Sequence, residues 1–226
     1  MEELHILLVK SGITGPYILV GHSMGGMLVR LYAHQYPDEV AGMVLVDSVH
    51  EEQSLRFPDT VQKALAQLEN KTQQQLGLFK ILSATGIIAL DPSRVPVQSK
   101  LPKSTAETHQ ALLASNDGYF DALSAEIAAD EESSAQMRAA HITSLGEIPL
   151  IVISHGQPGL LPASLNLPPE AVQQFETVWR ELQTELAALS PNGKLVIAEQ
   201  SSHYIQLDQS NLVIDAIQQV LEMTRE

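Results

Sequence analysis

Residues 17–33 read Tyr-Ile-Leu-Val-Gly-His-Ser-Met-Gly-Gly-Met-Leu-Val-Arg-Leu-Tyr-Ala, with Ser23 between a β-branched run and a helix-type apolar pattern. Gly-His-Ser-Met-Gly at that junction describes a serine on a sharp strand-to-helix turn, the nucleophile elbow. The turn forces the serine backbone into a strained conformation and pushes the hydroxyl outward. Side chains two residues either side would collide, so Gly21 and Gly25 are expected to be required there. Gly26 is expected to let the helix pack close to the strand. A phosphate-binding loop would instead show Gly-Lys-Ser/Thr or G-x-G-x-x-G, and neither occurs here.

A serine hydroxyl is a poor nucleophile until a base takes its proton, and the base needs a carboxylate to orient it. On an elbow scaffold the chain order is serine, acid, histidine. Of the eight histidines, His203 lies in the loop after the last strand pattern and before the final helix, where the base is expected. His22 neighbours Ser23 but points away from the hydroxyl. His155, after an earlier strand, is the alternative base or else a loop histidine at the pocket mouth. The acid is harder to place. Ser-His-Gly-Gln-Pro-Gly (154–159) stands where a carboxylate is usual, but it holds Gln157, and no aspartate occurs between Asp130 and Asp208. Asp47, ending Val-Leu-Val-Asp one strand earlier, is the preferred acid, with Glu170 as the alternative. An aspartate at that point often only caps the next turn, and the remaining alternative is that no carboxylate serves the histidine. The backbone N–H of Met24 supplies one oxyanion donor, and a loop after an earlier strand should supply the other. No H-E-x-x-H, aspartate ladder or Cys/His spacing is present, so neither metal nor cofactor is expected.

These residues need elements to hold them. Leu4, Leu7 and Leu8 space as a short helix ending near Gly12. Tyr17–Val20 reads as a strand and residues 24–34 as a helix stopped by Pro37. Val40–Val46 is a strand with almost no polar interruption, as in a parallel sheet buried on both faces. Ile148–Ile153 and Leu195–Ala198 are two further strands. Val172, Phe175, Val178, Trp179, Leu182 and Leu186 keep a 3.6 period over a helix from 169 to 189. Asp208 or Ser210 is expected to cap a last helix carrying Val213, Ile217 and Val220. From about 51 to 145 the apolar spacing is helical, with a loop marked by Pro92, Pro96 and Pro102 between two helical groups. The expected fold is therefore α/β: a doubly wound, mostly parallel sheet of about four strands, formed by residues 1–50 and 146–226, with a helical cap insertion at 51–145. In such sheets ligand sites gather at strand C-terminal ends, where Ser23, Asp47, His155 and His203 all fall.

The composition bounds the rest. A chain of 226 residues, 44% hydrophobic and 18% charged, can bury a substantial core. A net charge of −14 argues against nucleic acid and against anionic membrane surfaces. There are no cysteines, hence no disulfide framework, and Met-Glu-Glu opens the chain where a signal peptide needs a basic region. A cytoplasmic location is the default expectation. The longest apolar run, about 76–90, is too short and interrupted to span a bilayer.

The chain resembles the α/β-hydrolase superfamily, and within it the cap-bearing bacterial serine hydrolases of the esterase type. The matching stretches are residues 15–26, 36–50, 148–156, 179–190 and 202–208. The resemblance implies Ser23 as nucleophile and His203 as base, and a subset of the superfamily places its acid where Asp47 stands. It also implies about four further strands before the elbow strand, which would supply the second oxyanion donor. On this basis the chain is expected to be an N-terminally shortened member, with Tyr17–Val20 at the sheet edge. That exposed edge would offer a surface for pairing two copies into a homodimer. The expected activity is hydrolysis of small carboxylic esters, or amides, through an acyl-enzyme on Ser23. Met24, Leu78, Phe79 and Ile81 are candidate pocket lining or plain core. The alternatives are a non-catalytic binding module on the same scaffold and a fragment without independent function.

Overall fold

The structure, a computed structural model, describes residues 1–116 and 118–225. Four parallel strands pair in the order β1-β2-β3-β4: Tyr17–His22, Val40–Val46, Leu150–His155 and Gly193–Ala198. Helices α1 (Glu2–Lys10) and α2 (Met24–Gln35) flank β1 in sequence. Between β2 and β3 the chain forms α3 (Gln53–Arg56), α4 (Asp59–Ala84), α5 (Ile87–Leu90), α6 (Lys103–Ala114), α7 (Tyr119–Ala128) and α8 (Asp130–Ala140). After β3 come α9 (Pro169–Ala187), then β4, α10 (Ile205–Asp208) and α11 (Ser210–Met223). This is the α/β fold with a doubly wound parallel sheet that the alternation of patterns predicts.

Strand β2 explains why its sequence has no alternation. Met43 and Leu45 pack with Tyr32 and Ala33 of α2 and Leu186 of α9 on one face. Val44 and Val46 pack with Val213, Ala216 and Val220 of α11 on the other. Both faces are covered, so every position is apolar. β1 lies at the sheet edge and pairs with β2 alone among the described residues. β3 and β4 begin or end about two residues away from the expected positions, because the register extends β3 to His155 opposite Ala198.

Two other expectations change. The first turn of α11 begins after Gln209 with no side-chain cap. Asp208 instead accepts from the backbone N–H and hydroxyl of Ser202, closing the loop that carries His203. Gly25 is also not sterically required: a Cβ there would meet nothing within 4 Å, whereas one at Gly21 would lie 2.5 Å from the carbonyl oxygen of Gly25. At Gly26 a Cβ would lie 2.1 Å from the Ser48 hydroxyl, so the close approach of α2 is to the segment after β2.

The chain divides into two compact units, Met1–Val61 with the chain from Ser133 onward, and Gln62–Glu132. Residues flanking the helical stretch join the sheet unit through packing: Phe57 lies against Phe175, and Met137 and Ile142 cluster with Met27 and Val49. The Gln62–Glu132 unit is helical with its own core of Leu76, Ile88, Val95, Ala114 and Phe120. Phe79 stacks on Phe120 there and lines a cavity of about 210 Å³ within that unit. Leu78 and Ile81 are exposed, and Met24 packs beside Met27. Among the described residues no helix is long and apolar enough to cross a membrane.

Candidate active site

Strand register builds the site. His22 lies opposite Val46, and Val46 opposite Ile153. Ser23, Asp47 and His155 therefore emerge at the same, C-terminal end of the sheet. The join between the first two is direct: the Ser23 N–H donates to Val46 O at 3.1 Å, and the Val49 N–H donates to Ser23 O at 3.0 Å. The Asp47 N–H in turn donates to Ile153 O at 2.7 Å.

Ser23 has φ 54° and ψ −124°, immediately before α2. Asp47 has φ 44°. A left-handed backbone at a non-glycine residue stores strain and is a pointer to function when neighbouring residues share it. Both residues hold it where two adjacent strands end.

His203 reaches this end from the loop after β4. Its Nδ1–H donates to Asp47 Oδ2 at 2.7 Å. A ring nitrogen facing a carboxylate must carry the proton, which leaves Nε2 as the basic atom. His22 turns aside as expected. Its Nε2–H donates to the backbone carbonyl of His203 at 3.0 Å, and the two rings lie 4.6 Å apart. Burial and the nearby His203 lower the pKa of His22, keeping it a neutral donor.

Asp47 has more partners than its sequence position suggests. It is fully buried, and Oδ1 also accepts from the indole Nε1–H of Trp179 at 2.9 Å and the backbone N–H of His155 at 3.1 Å. The His155 ring presents Nδ1 to both carboxylate oxygens at 2.9 Å. On its other side His155 Nε2 meets Glu176 Oε2 at 2.8 Å. Burial works against charge on Asp47, but hydrogen bonds from His155 and His203 overcome it and hold the carboxyl well below its usual range. Burial likewise opposes charge on His155, and its bonds to Asp47 and Glu176 outweigh this and raise it to about 9.

His155 is thus neither an alternative base nor a residue at a pocket mouth; it is buried against the carboxylate. Glu170 is exposed on the first turn of α9, and Asp47 is the carboxylate bonded to His203. Gln157, in the usual acid position, donates from its side chain to Glu199 O at 2.6 Å. From the sequence Glu176 is, with Glu170, only a nearby carboxylate on a helix, and Trp179 and Arg180 have no assigned role in the site. Their signal was available: i, i+3 and i+4 place all three on one side of α9. Among the described residues no group of His, Asp and Glu is arranged to hold a metal.

The sequence model of the alpha/beta hydrolase fold matches residues 2–210. The chain belongs to the alpha/beta hydrolase fold family. Solved members of similar shape include a thermophilic esterase of Thermogutta terrifontis, 19% identical with a TM-score of 0.52, covering 97% of this chain and 70% of that one. A carboxylesterase of Nitrososphaera gargenis is 15% identical with a TM-score of 0.52, covering 99% and 71%. An N-acyl homoserine lactone degrading enzyme, Est816, is 16% identical with a TM-score of 0.54, covering 96% and 72%. At these identities the likeness carries the hydrolase fold alone. An uncharacterized protein of Schizosaccharomyces pombe is 38% identical over 48 residues, which is 21% of this chain and 9% of that protein's length.

Proposed function

We propose that this alpha/beta hydrolase fold protein is a serine hydrolase of small carboxylic esters, or of amides as a close variant. Ser23 attacks the acyl carbon and His203 takes its proton. Asp47 fixes the His203 ring and balances the imidazolium that forms. The observation carrying this reading is the 2.7 Å bond from His203 Nδ1 to a buried Asp47, at the strand ends where Ser23 holds a left-handed backbone. The Met24 N–H, first in α2, is assigned as an oxyanion donor, aided by the positive end of that helix. The helical insertion between β2 and β3 takes the part of a cap. A serine nucleophile is inconsistent with the aspartate-ester chemistry used for epoxides and haloalkanes.

A fluorophosphonate probe tests the reading. The wild-type chain is expected to label, and Ser23→Ala to lose the label while keeping its circular dichroism. A folded wild type that takes no label would be a binding module on a hydrolase scaffold, and the catalytic reading would fall.

A further inference from the structure

An orienting carboxylate needs only its histidine, yet Asp47 is shared between two. Both ring nitrogens of His155 face carboxylate oxygens, Nδ1 toward Asp47 at 2.9 Å and Nε2 toward Glu176 at 2.8 Å. An ionised carboxylate only accepts hydrogen bonds, so both nitrogens must be donors and the ring must be imidazolium. The ring is 1% exposed, which removes water as a competing partner on either side. Glu176 is 24% exposed and closes the series toward solvent. The resulting row is Glu176⁻, His155⁺, Asp47⁻, His203.

We infer that His155 is a positioning residue of the hydrolytic site: an imidazolium clamped between Asp47 and Glu176 that aims Asp47 at His203 and offsets part of that carboxylate's negative field at the base. The inference rests on the serine hydrolase reading. A positive neighbour 2.9 Å from both oxygens of the carboxylate opposes the field that Asp47 exerts on His203. Glu176 acts in the opposite sense, keeping His155 charged while adding back one negative charge farther from His203. The other groups facing the row are Trp179, whose indole N–H donates to Asp47 at 2.9 Å, Arg180, which donates to the His155 carbonyl at 2.9 Å, His22 behind His203, and Tyr204, whose ring lies 5.3 Å from that of His203. They stay constant across the variants below.

Charge counting predicts shifts of opposite sign. Asp47, His155 and Glu176 together carry one negative charge. His155→Gln makes this two negatives, and Glu176→Gln makes it zero. The double variant restores one. On the full chain with p-nitrophenyl acetate, the acid limb of kcat/KM is expected to move up by about one pH unit in His155→Gln, a tenfold change in proton affinity. It moves down in Glu176→Gln, by roughly half as much because that charge is farther away. The double variant lies between the two singles, about half a unit above wild type, and KM stays within about twofold throughout. Loss of packing would lower activity without producing shifts of opposite sign that add in the double variant. If His155→Gln does not fold, Glu176→Gln alone still decides the sign. Nitrogen chemical shifts give a readout independent of turnover. Wild-type His155 should carry both protons at pH 7 and lose one near pH 9, and Glu176→Gln should lower that midpoint. A singly protonated His155 at neutral pH, or shifts of the same sign in both single variants, overturns the inference. An inactive wild type with a doubly protonated His155 would overturn the hydrolase reading instead.

Discussion

Asp47 accepts from His203, Trp179, the His155 ring and the His155 backbone, so one buried side chain joins three segments far apart in sequence. Its stabilising effect depends on charge, and pH should reveal that. His155 binds its proton more tightly folded than unfolded, about 9 against an ordinary 6.5. The associated stability is complete below pH 6.5 and fades as pH rises through about 9. Asp47 is shifted the other way from an ordinary 3.8, so its contribution is complete above that pH and fades as acid protonates the folded carboxyl. The two shifts overlap in the Asp47–His155 contact and are not additive; the His155 shift corresponds to on the order of 3 kcal/mol, shared between Asp47 and Glu176. Unfolding free energy should therefore plateau in mildly acidic solution and fall on both sides. Asp47→Asn should lose about 3–5 kcal/mol on the plateau, since it leaves a buried imidazolium short of one partner, and should flatten the alkaline fall. Denaturant unfolding at several pH values measures both. Parallel wild-type and variant curves would remove the charge argument.

At the level of elements, the turn from β1 into α2 depends on two glycines rather than three. Gly21→Ala and Gly26→Ala each drive a methyl group into neighbours closer than 3 Å, Gly25 backbone in one case and Ser48 in the other. Each should cost about 1–3 kcal/mol as overpacking, and more if the backbone must move. Gly25→Ala enters open space on a helical residue and should be neutral or stabilise by roughly 0.4–1 kcal/mol. Urea midpoints of the three variants would separate these outcomes, and a large loss in Gly25→Ala would contradict the open space beside it. The same turn shows what the sequence can and cannot reveal. Gly-His-Ser-Met-Gly, the unbroken apolar run of β2 and the period of α9 are local patterns, and local patterns foretold strands, helices and the bend at Ser23. Asp47 was also reachable, because carboxylates were scarce near the relevant strand ends. The role of His155 is not legible locally, because it comes from strand register and from the packing of α9, which bring Asp47 and Glu176 to opposite edges of one ring. The place of Asp208 is decided in a similar way. A carboxylate beside a helix start had a better partner in the Ser202 loop, and only tertiary contacts decide that competition.

For the molecule as a whole, the sheet edge and the net charge pull in opposite directions. β1 has β2 as its single strand neighbour among the described residues, and Val20 on it is 43% exposed. Two copies meeting at this edge about a two-fold axis would pair β1 antiparallel to β1 and continue one sheet through both chains. Each copy carries a net charge of −14, so such a dimer is opposed by repulsion between like-charged bodies. Salt decides between them, because the screening length falls from about 30 Å at 0.01 M to roughly 8 Å at physiological ionic strength. Backbone pairing and apolar contact across the edge are short-ranged and survive that screening. If this edge pairs two copies, sedimentation equilibrium shows monomer at low salt and a growing dimer fraction as salt is added, the reverse of an association held by ion pairs; a chain monomeric at every salt level rules edge pairing out. Val20→Lys should keep the chain monomeric at both salt levels by placing a solvated charge on the edge. A dimer that dissolves with added salt, or one indifferent to Val20→Lys, would place the contact elsewhere on the surface.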